Sequence, residues 1–288
     1  MKKKVVNNLF LDYLIENEAK FDSQADAWVE GVKAHDGKSL GEMSSSINER
    51  VVLQKACIGE LGWCFPKFMK KHIELGNVMV DLRNGVSIDE IDLGIAECFF
   101  ERDIEAIVIL MERLLSDSDK KKLNLAFELY LKQEYFTSAM LLAGIIDSAS
   151  INQALKASST IENVSQCWKC YGKVIQENFA TKYFTAEFPY NKNAKEDKRS
   201  KATIDFFKSI KHDECFQDKK EILIPLSFAL LKFFDDSDWT DKKNGTIPSS
   251  VNRHWLAHNM YDYDDITRAD CMKLFCLLYQ IMELYCKL

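Results

Sequence analysis

Proline and glycine are scarce in this chain, at 4 and 11 of 288 residues. Proline removes a backbone donor and glycine frees φ, so together they punctuate turn-rich folds. Their scarcity leaves long stretches filled mainly by Leu, Lys, Glu, Ala and Ile, which favour helix. Alternating apolar and polar residues over a useful length are missing, as are heptads and internal repeats. That removes half-buried sheets, long coiled coils and solenoids. No apolar run reaches the ~18 residues a bilayer span needs, so no membrane partner is expected. The basic Met-Lys-Lys-Lys start is followed by Val5-Val6-Asn7-Asn8, which is too polar for a signal-peptide core. A positive balance is missing too. The formal charge is −6, so contact with nucleic acid would rest on a local basic patch. Histidine numbers only 5, so any local concentration of it stands out.

What is present points to an all-α, multi-helix bundle. At 47% hydrophobic residues the chain can bury a sizeable core. The 9 cysteines are odd in number and sit mostly inside apolar helical patterns. They fit a reducing cytoplasm, packed as small hydrophobes. Two helices are expected within residues 1–34, the second capped by Asp22 or Ser23. Gly37–Ser46 reads as a loop. Residues 47–75 carry helical spacing interrupted by Gly62 and Pro66, with Gly76 as a stop. Ser87-Ile-Asp-Glu90 has the capping-box form and opens a helix running into the stripe Ile107, Leu110, Met111, Leu114 and Leu115. Ser116–Asp119 punctuates, and a domain boundary is placed there. An N-terminal helical domain, 1–120, would precede a helical bundle, 121–288.

In that second part, Leu123–Tyr130 and Tyr135–Leu155 are expected helices. The latter is apolar on most sides, with Ala139, Leu142, Ala143, Ile146 and Ala149 as close-packing residues. Helices at Ile161–Ala180, Thr203–Lys211 and Glu221–Phe234 follow, with a break at Phe188–Thr203 and a polar loop at Asp235–Ser250. Thr267-Arg-Ala-Asp270 is a second capping box. It opens a terminal helix with Met272, Phe275, Leu278, Tyr279, Met282 and Tyr285 at three- and four-residue steps. The apolar surfaces of Tyr135–Leu155 and of this last helix predict a homodimer.

The chemistry concentrates at Asn252-Arg-His-Trp-Leu-Ala-His-Asn259. Arginine can grip a phosphate with two parallel hydrogen bonds. Histidine can give and take a proton near neutrality. On a helix, His254 and His258 share a face, with Arg253 beside His254. Arg253 and His258 lie about 140° apart on an ideal helix, so they converge only if the turn is distorted or two copies meet. The alternative is a set of satisfied surface groups brought together by chance.

This segment, before a terminal amphipathic helix and with the upstream helix Gln133-Glu-Tyr-Phe-Thr-Ser-Ala-Met-Leu-Leu-Ala, resembles the Arg-x(4–6)-His signature of the HEPN superfamily. The resemblance covers about residues 121–288. It implies an all-helical domain and a metal-independent endoribonuclease of a toxin–antitoxin or phage-defence system, needing no cofactor. Arg253, His254 and His258 would line a cleft between two such domains, supported by Asn252 and Asn259. The RNA 2′-OH would attack its own phosphate, with His258 as base or acid and Arg253 neutralising the phosphorane. RNA, a second copy and an antitoxin or other defence protein would be the partners. The family often has asparagine where His254 stands, and some relatives have glycine where Asn259 stands. Those departures leave a catalytically silent helical interaction or regulatory module as the alternative.

Three further groups are candidates. Asp147, beside Ser148 in an apolar helix, could partner Arg253 or His258, or face solvent at the helix edge. Lys192, Lys195, Lys198, Arg199 and Lys201 form a basic loop that could meet RNA phosphates or simply be solvated. Cys167-Trp-Lys-Cys170 with His212-Asp-Glu-Cys215 has ligand spacing for zinc. Both pairs lack glycine knuckles, and a packed helical cysteine pair is the favoured reading, so no metal is expected. Asp262, Asp264 and Asp265 lack the spacing of a calcium loop and read as a solvated turn.

Overall fold

The computed structural model describes residues 9–22, 37–157, 196–210, 220–234, 247–248 and 250–286. Eleven α-helices and two 3-10 turns make up these residues, with no β-strand among them. The helices are α1 (Leu9–Ala19), α2 (Gly37–Glu60), α3 (Leu75–Arg83), α4 (Ile88–Glu97), α5 (Glu101–Glu112), α6 (Asp117–Leu131) and α7 (Tyr135–Ala157). Then come α8 (Glu196–Ile210), α9 (Lys220–Phe234), α10 (Arg253–Ala257) and α11 (Arg268–Cys286). The 3-10 turns are Lys67–His72, before α3, and Tyr263–Asp265, before α11.

The two capping boxes form as their spacing predicts. Ser87 Oγ accepts the Glu90 N–H at 3.3 Å, and the Glu90 carboxylate accepts the Ser87 N–H at 3.0 Å. Thr267 Oγ1 accepts the Asp270 N–H at 3.3 Å, and the Asp270 carboxylate accepts the Thr267 N–H at 3.0 Å. Each satisfies donors that the first turn leaves unpaired.

Several local expectations are corrected. Gly37–Ser46 is helical, as the first turns of α2. Glycine and serine are poor helix formers, but extending a helix costs far less than starting one, and Val52, Leu53, Ala56 and Cys57 anchor the later turns in the core. Gly76 sits inside α3 instead of stopping a helix. Ser116 is the N-cap of α6, its hydroxyl accepting the Asp119 N–H at 3.2 Å, so the punctuation there is a start. The helix opened by Ser87 ends at Glu97, and α5 begins afresh where the Phe100 N–H donates to the Asp103 carboxylate at 2.8 Å. Helix α8 begins at Glu196, inside the stretch expected to be irregular. The helix expected at Ile161–Ala180 lies outside the described residues.

Gly62 takes φ +88°, which ends α2 in a turn only glycine enters freely, and a Cβ there would lie 2.0 Å from Ser250 Oγ. One turn earlier, a Cβ on Gly59 would lie 2.5 Å from the Pro225 carbonyl oxygen. The glycine therefore lets α2 and α9 pack backbone to backbone.

Helix α11 packs on α4, α5, α7 and α9, and every residue from Ala269 to Leu278 is buried. Ala139, Leu142, Ala143, Ile146 and Ala149 of α7 are buried too. Much of the apolar surface of both helices is therefore used inside the chain, although Met140 of α7 is 40% exposed. Ile107 and Met111 of α5 and Leu115 just after it enter the core, whereas Leu110 and Leu114 are exposed. One hydrophobic cluster runs from Phe10 to Met282. Helix α11 packs on elements from both sides of residue 120, α4 and α5 before it and α7 and α9 after it.

Polar anchors sit inside that core. Lys273 and Asp92 are each 1% exposed, with Nζ and Oδ2 2.6 Å apart. The Trp63 indole N–H donates to the other carboxylate oxygen at 2.8 Å. Gln280 donates to the Phe65 carbonyl at 2.7 Å. Near α1, the buried Glu18 carboxylate accepts from Arg50 at 2.7 Å and Gln54 at 3.1 Å, while Arg50 and Arg83 both grip Asp22. Burial pushes the thiols of Cys57, Cys64, Cys271 and Cys276 well up, which keeps them protonated. Among the described residues, no helix is long and apolar enough to cross a membrane.

Candidate functional site

The Arg253 segment forms a short helix of its own, separate from the terminal one. Its ends are fixed by two asparagines. Asn252, 1% exposed, caps the start, its Oδ1 accepting the Trp255 N–H at 3.1 Å. Its amide also donates to the Lys232 carbonyl at 3.1 Å, and its backbone N–H donates to the Tyr261 hydroxyl at 3.0 Å. At the other end His258 is the C-cap and Asn259 turns to φ +51°. The Asn259 N–H reaches the Leu256 carbonyl at 3.1 Å, and the Met260 N–H reaches the Trp255 carbonyl at 2.8 Å. This is a Schellman stop, which takes glycine or asparagine at the left-handed position. Asn259 therefore serves where glycine would. Trp255, Leu256 and Met260 are buried and hold the segment down, with the Trp255 and Tyr261 rings 5.2 Å apart.

On this base, Arg253 and the two histidines face outward to different degrees. Arg253 Nη1 lies 3.4 Å from Asp147 Oδ2 on α7, with side chains 21% and 17% exposed. The guanidinium carbon lies 5.7 Å from the centre of the Phe234 ring at the end of α9. The His254 and His258 rings touch, with centres 4.3 Å apart. His258 is exposed and His254 half-buried. The partner expected for Asp147 is thus Arg253, across 106 residues of sequence.

The remaining candidates fare differently. Lys198, Arg199 and Lys201 stand on α8, which packs on α1, so they belong to a helix and not to a basic loop. Lys192 and Lys195 lie outside the described residues, as do Cys167, Cys170, His212 and Cys215. Among the described residues no group of three or more metal-binding side chains occurs. Asp262 and Asp265 close the 3-10 turn on themselves, the Asp262 N–H donating to the Asp265 carboxylate at 2.8 Å.

No family model, curated protein or solved structure matches this chain.

A cavity of about 740 Å³ opens at the first residues of α5, α7 and α11, away from this cluster. Tyr135, on its wall, precedes Asp147 by three turns of α7, about 18 Å along the axis. Arg268, Tyr130, Tyr135 and Arg102 line it. Sequence reading missed all four, because four separate segments supply them and no local spacing joins them.

Proposed function

We infer that the chain is a metal-independent endoribonuclease whose chemistry resides at Arg253, His254 and His258. The observation that carries this reading is that one short, anchored helix bears both an arginine held by Asp147 and an imidazole pair of which His258 reaches solvent. Arg253, braced by Asp147 and the Phe234 face, is oriented before substrate arrives, which is what stabilisation of a developing phosphorane charge requires. His258, on the exposed side, takes or gives the proton.

The attack of a 2′-OH on phosphorus is in line with the departing 5′-oxygen. Acid and base must then stand on opposite sides of the phosphate. Two rings in contact at 4.3 Å stand on the same side. One chain therefore supplies the proton carrier for one face, and a second copy supplies the other. The exposed His258 caps the end of α10, so that second copy would dock by the α10 surface.

Purified protein incubated with RNA in EDTA should leave 2′,3′-cyclic phosphate and 5′-hydroxyl ends. His258→Ala and Arg253→Ala should each slow this by about 10²-fold or more with helicity unchanged. An inert wild type, or full activity in both variants, overturns the reading. A second reading has its own support. Arg253 already satisfies Asp147 and Phe234, so the ion pair could serve only to clasp α10 onto α7. The chain would then be a helical interaction or regulatory module. No cleavage by folded wild type, with an unfolding temperature that drops in Arg253→Ala, selects that reading.

A further inference from the structure

We propose that the cavity at the head of α5, α7 and α11 binds a small anion joined to an aromatic ring, with Arg268 as the anion's partner. This inference concerns a second site and does not rest on the ribonuclease reading.

Partly buried arginines in this protein are matched with carboxylates. Arg50, Arg83 and Arg253 each face a carboxylate. Removing a guanidinium from water is costly, and a carboxylate offsets that cost. Arg268 is equally half-buried, yet its two partners are neutral oxygens. Its Nε donates to the Tyr130 hydroxyl at 3.1 Å, and its Nη2 donates to the Phe99 carbonyl at 3.0 Å. These bonds fix the planar fork in one orientation. They leave Nη1 and the positive charge without a carboxylate among the described residues. Arg102, on the same wall, lies with its guanidinium carbon 4.8 Å from the Phe100 ring centre, and it too has no carboxylate partner among the described residues. Glu97 and Glu101 border the cavity, but neither lies within ion-pair distance of either arginine.

The neighbouring hydroxyls are suited to the same ligand. Burial pushes the Tyr130 phenol up, with Arg268 opposing it, so the hydroxyl stays protonated at neutral pH. Tyr130 accepts from Arg268, so its own proton is directed elsewhere and can be donated to an anion. Burial likewise raises Tyr135. A guanidinium with a phenol beside it is a donor pair for one carboxylate or one phosphate.

The walls set the rest of the ligand. Phe100 is 60% exposed at the rim, and the Tyr130 and Tyr135 ring centres are 5.9 Å apart. An exposed phenylalanine under an arginine is a surface for a flat ring to stack on. The Gln133 amide, on a loop residue at φ +64°, adds a polar group that could recognise a ring edge. A volume of about 740 Å³ exceeds what a bare anion needs and suits a ring carrying one. The two carboxylates at the border disfavour a polyanion.

The test titrates full-length protein by calorimetry with AMP, UMP, 4-hydroxybenzoate and inorganic phosphate. At least one of the three ring-bearing anions should bind saturably, and phosphate alone should bind at least about tenfold more weakly, since it forgoes the stacking. Arg268→Lys keeps the charge and loses the fork, and should weaken binding about tenfold or more. Arg102→Ala alters only an exposed side chain, so it reports on the site even where an Arg268 variant unfolds. It should weaken the same ligand severalfold. Preference for the mononucleotides or for the benzoate identifies which source of ring-borne anion the site takes. Absence of saturable binding by all three ring-bearing probes, or binding unchanged in Arg102→Ala and in folded Arg268→Lys, overturns the proposal.

Discussion

Replacing Asp92 by asparagine tests how charge is held in the core. The Asp92 and Lys273 side chains are each 2% exposed, and their charged atoms are 2.6 Å apart. Removing one charge of such a pair leaves the other buried and uncompensated, which costs about 3–5 kcal/mol. Asp92→Asn keeps the shape and the oxygen that accepts the Trp63 N–H at 2.8 Å, so the loss isolates the charge. Lys273→Met should cost a similar amount by stranding the carboxylate. The double variant removes both charges, retains the Trp63 hydrogen bond and keeps the volume. It should lie closer to the parent than the sum of the two single losses, because no buried charge is left uncompensated, while the asparagine amide facing the methionine keeps it below the parent. The assay is urea unfolding followed by circular dichroism. At a slope of about 3 kcal/mol/M, each single variant lowers the midpoint by roughly 1 M or more. Single variants within about 0.5 kcal/mol of the parent, or a double variant as unstable as the sum of its parts, would refute the reasoning.

Three further outcomes follow from the same packing. A thiol reagent should label exposed Cys98 within minutes, while Cys57, Cys64, Cys271 and Cys276 react only as fast as the protein opens; rapid labelling of all five contradicts their burial. The hydrogen bond from Arg83 to Asp22, with both arginines nearby, holds that carboxyl below its ordinary value of 3.8. Its stabilising contribution is therefore present at neutral pH and is lost as pH falls through the depressed folded value. Asp22→Asn should flatten the acid limb of a stability-against-pH curve below about pH 4, and an unchanged limb counts against it. Asp147→Asn should cost about 1–2 kcal/mol in thermal unfolding, with Arg253→Ala in that background costing little more; fully additive losses would show that the two side chains are not coupled.

The helical class and most element centres were legible in the sequence because they depend on local chemistry. Ser87 and Thr267 announce their helices through side chains three residues away. Ala139, Leu142, Ala143, Ile146 and Ala149 of α7 show their burial through spacing alone. Gly37–Ser46 was not legible, since its helix is stabilised by turns lying further along α2. At the site, Asp147 stood out as a carboxylate in an apolar helix, and its pairing with Arg253 supplies the reason for it. The roles of Asn252 and Asn259 lie in cap geometry, which spacing does not reveal. The basic segment from Lys198 misled because its charges resemble a loop while its apolar partners, Phe206 and Phe207, come only later in the same helix. The Arg268 cavity had no signature at all, since proximity across four segments is created by folding.

The hydrogen bond from Gln280 to the Phe65 carbonyl spans 215 residues. At a synthesis rate of about 5–20 residues per second, Phe65 emerges roughly 10–40 s before its partner exists. During that interval the nascent N-terminal half presents Trp63 and Phe65 with no closing helix. Truncations that stop short of α11 should therefore be captured by chaperones or aggregate instead of accumulating as independent units.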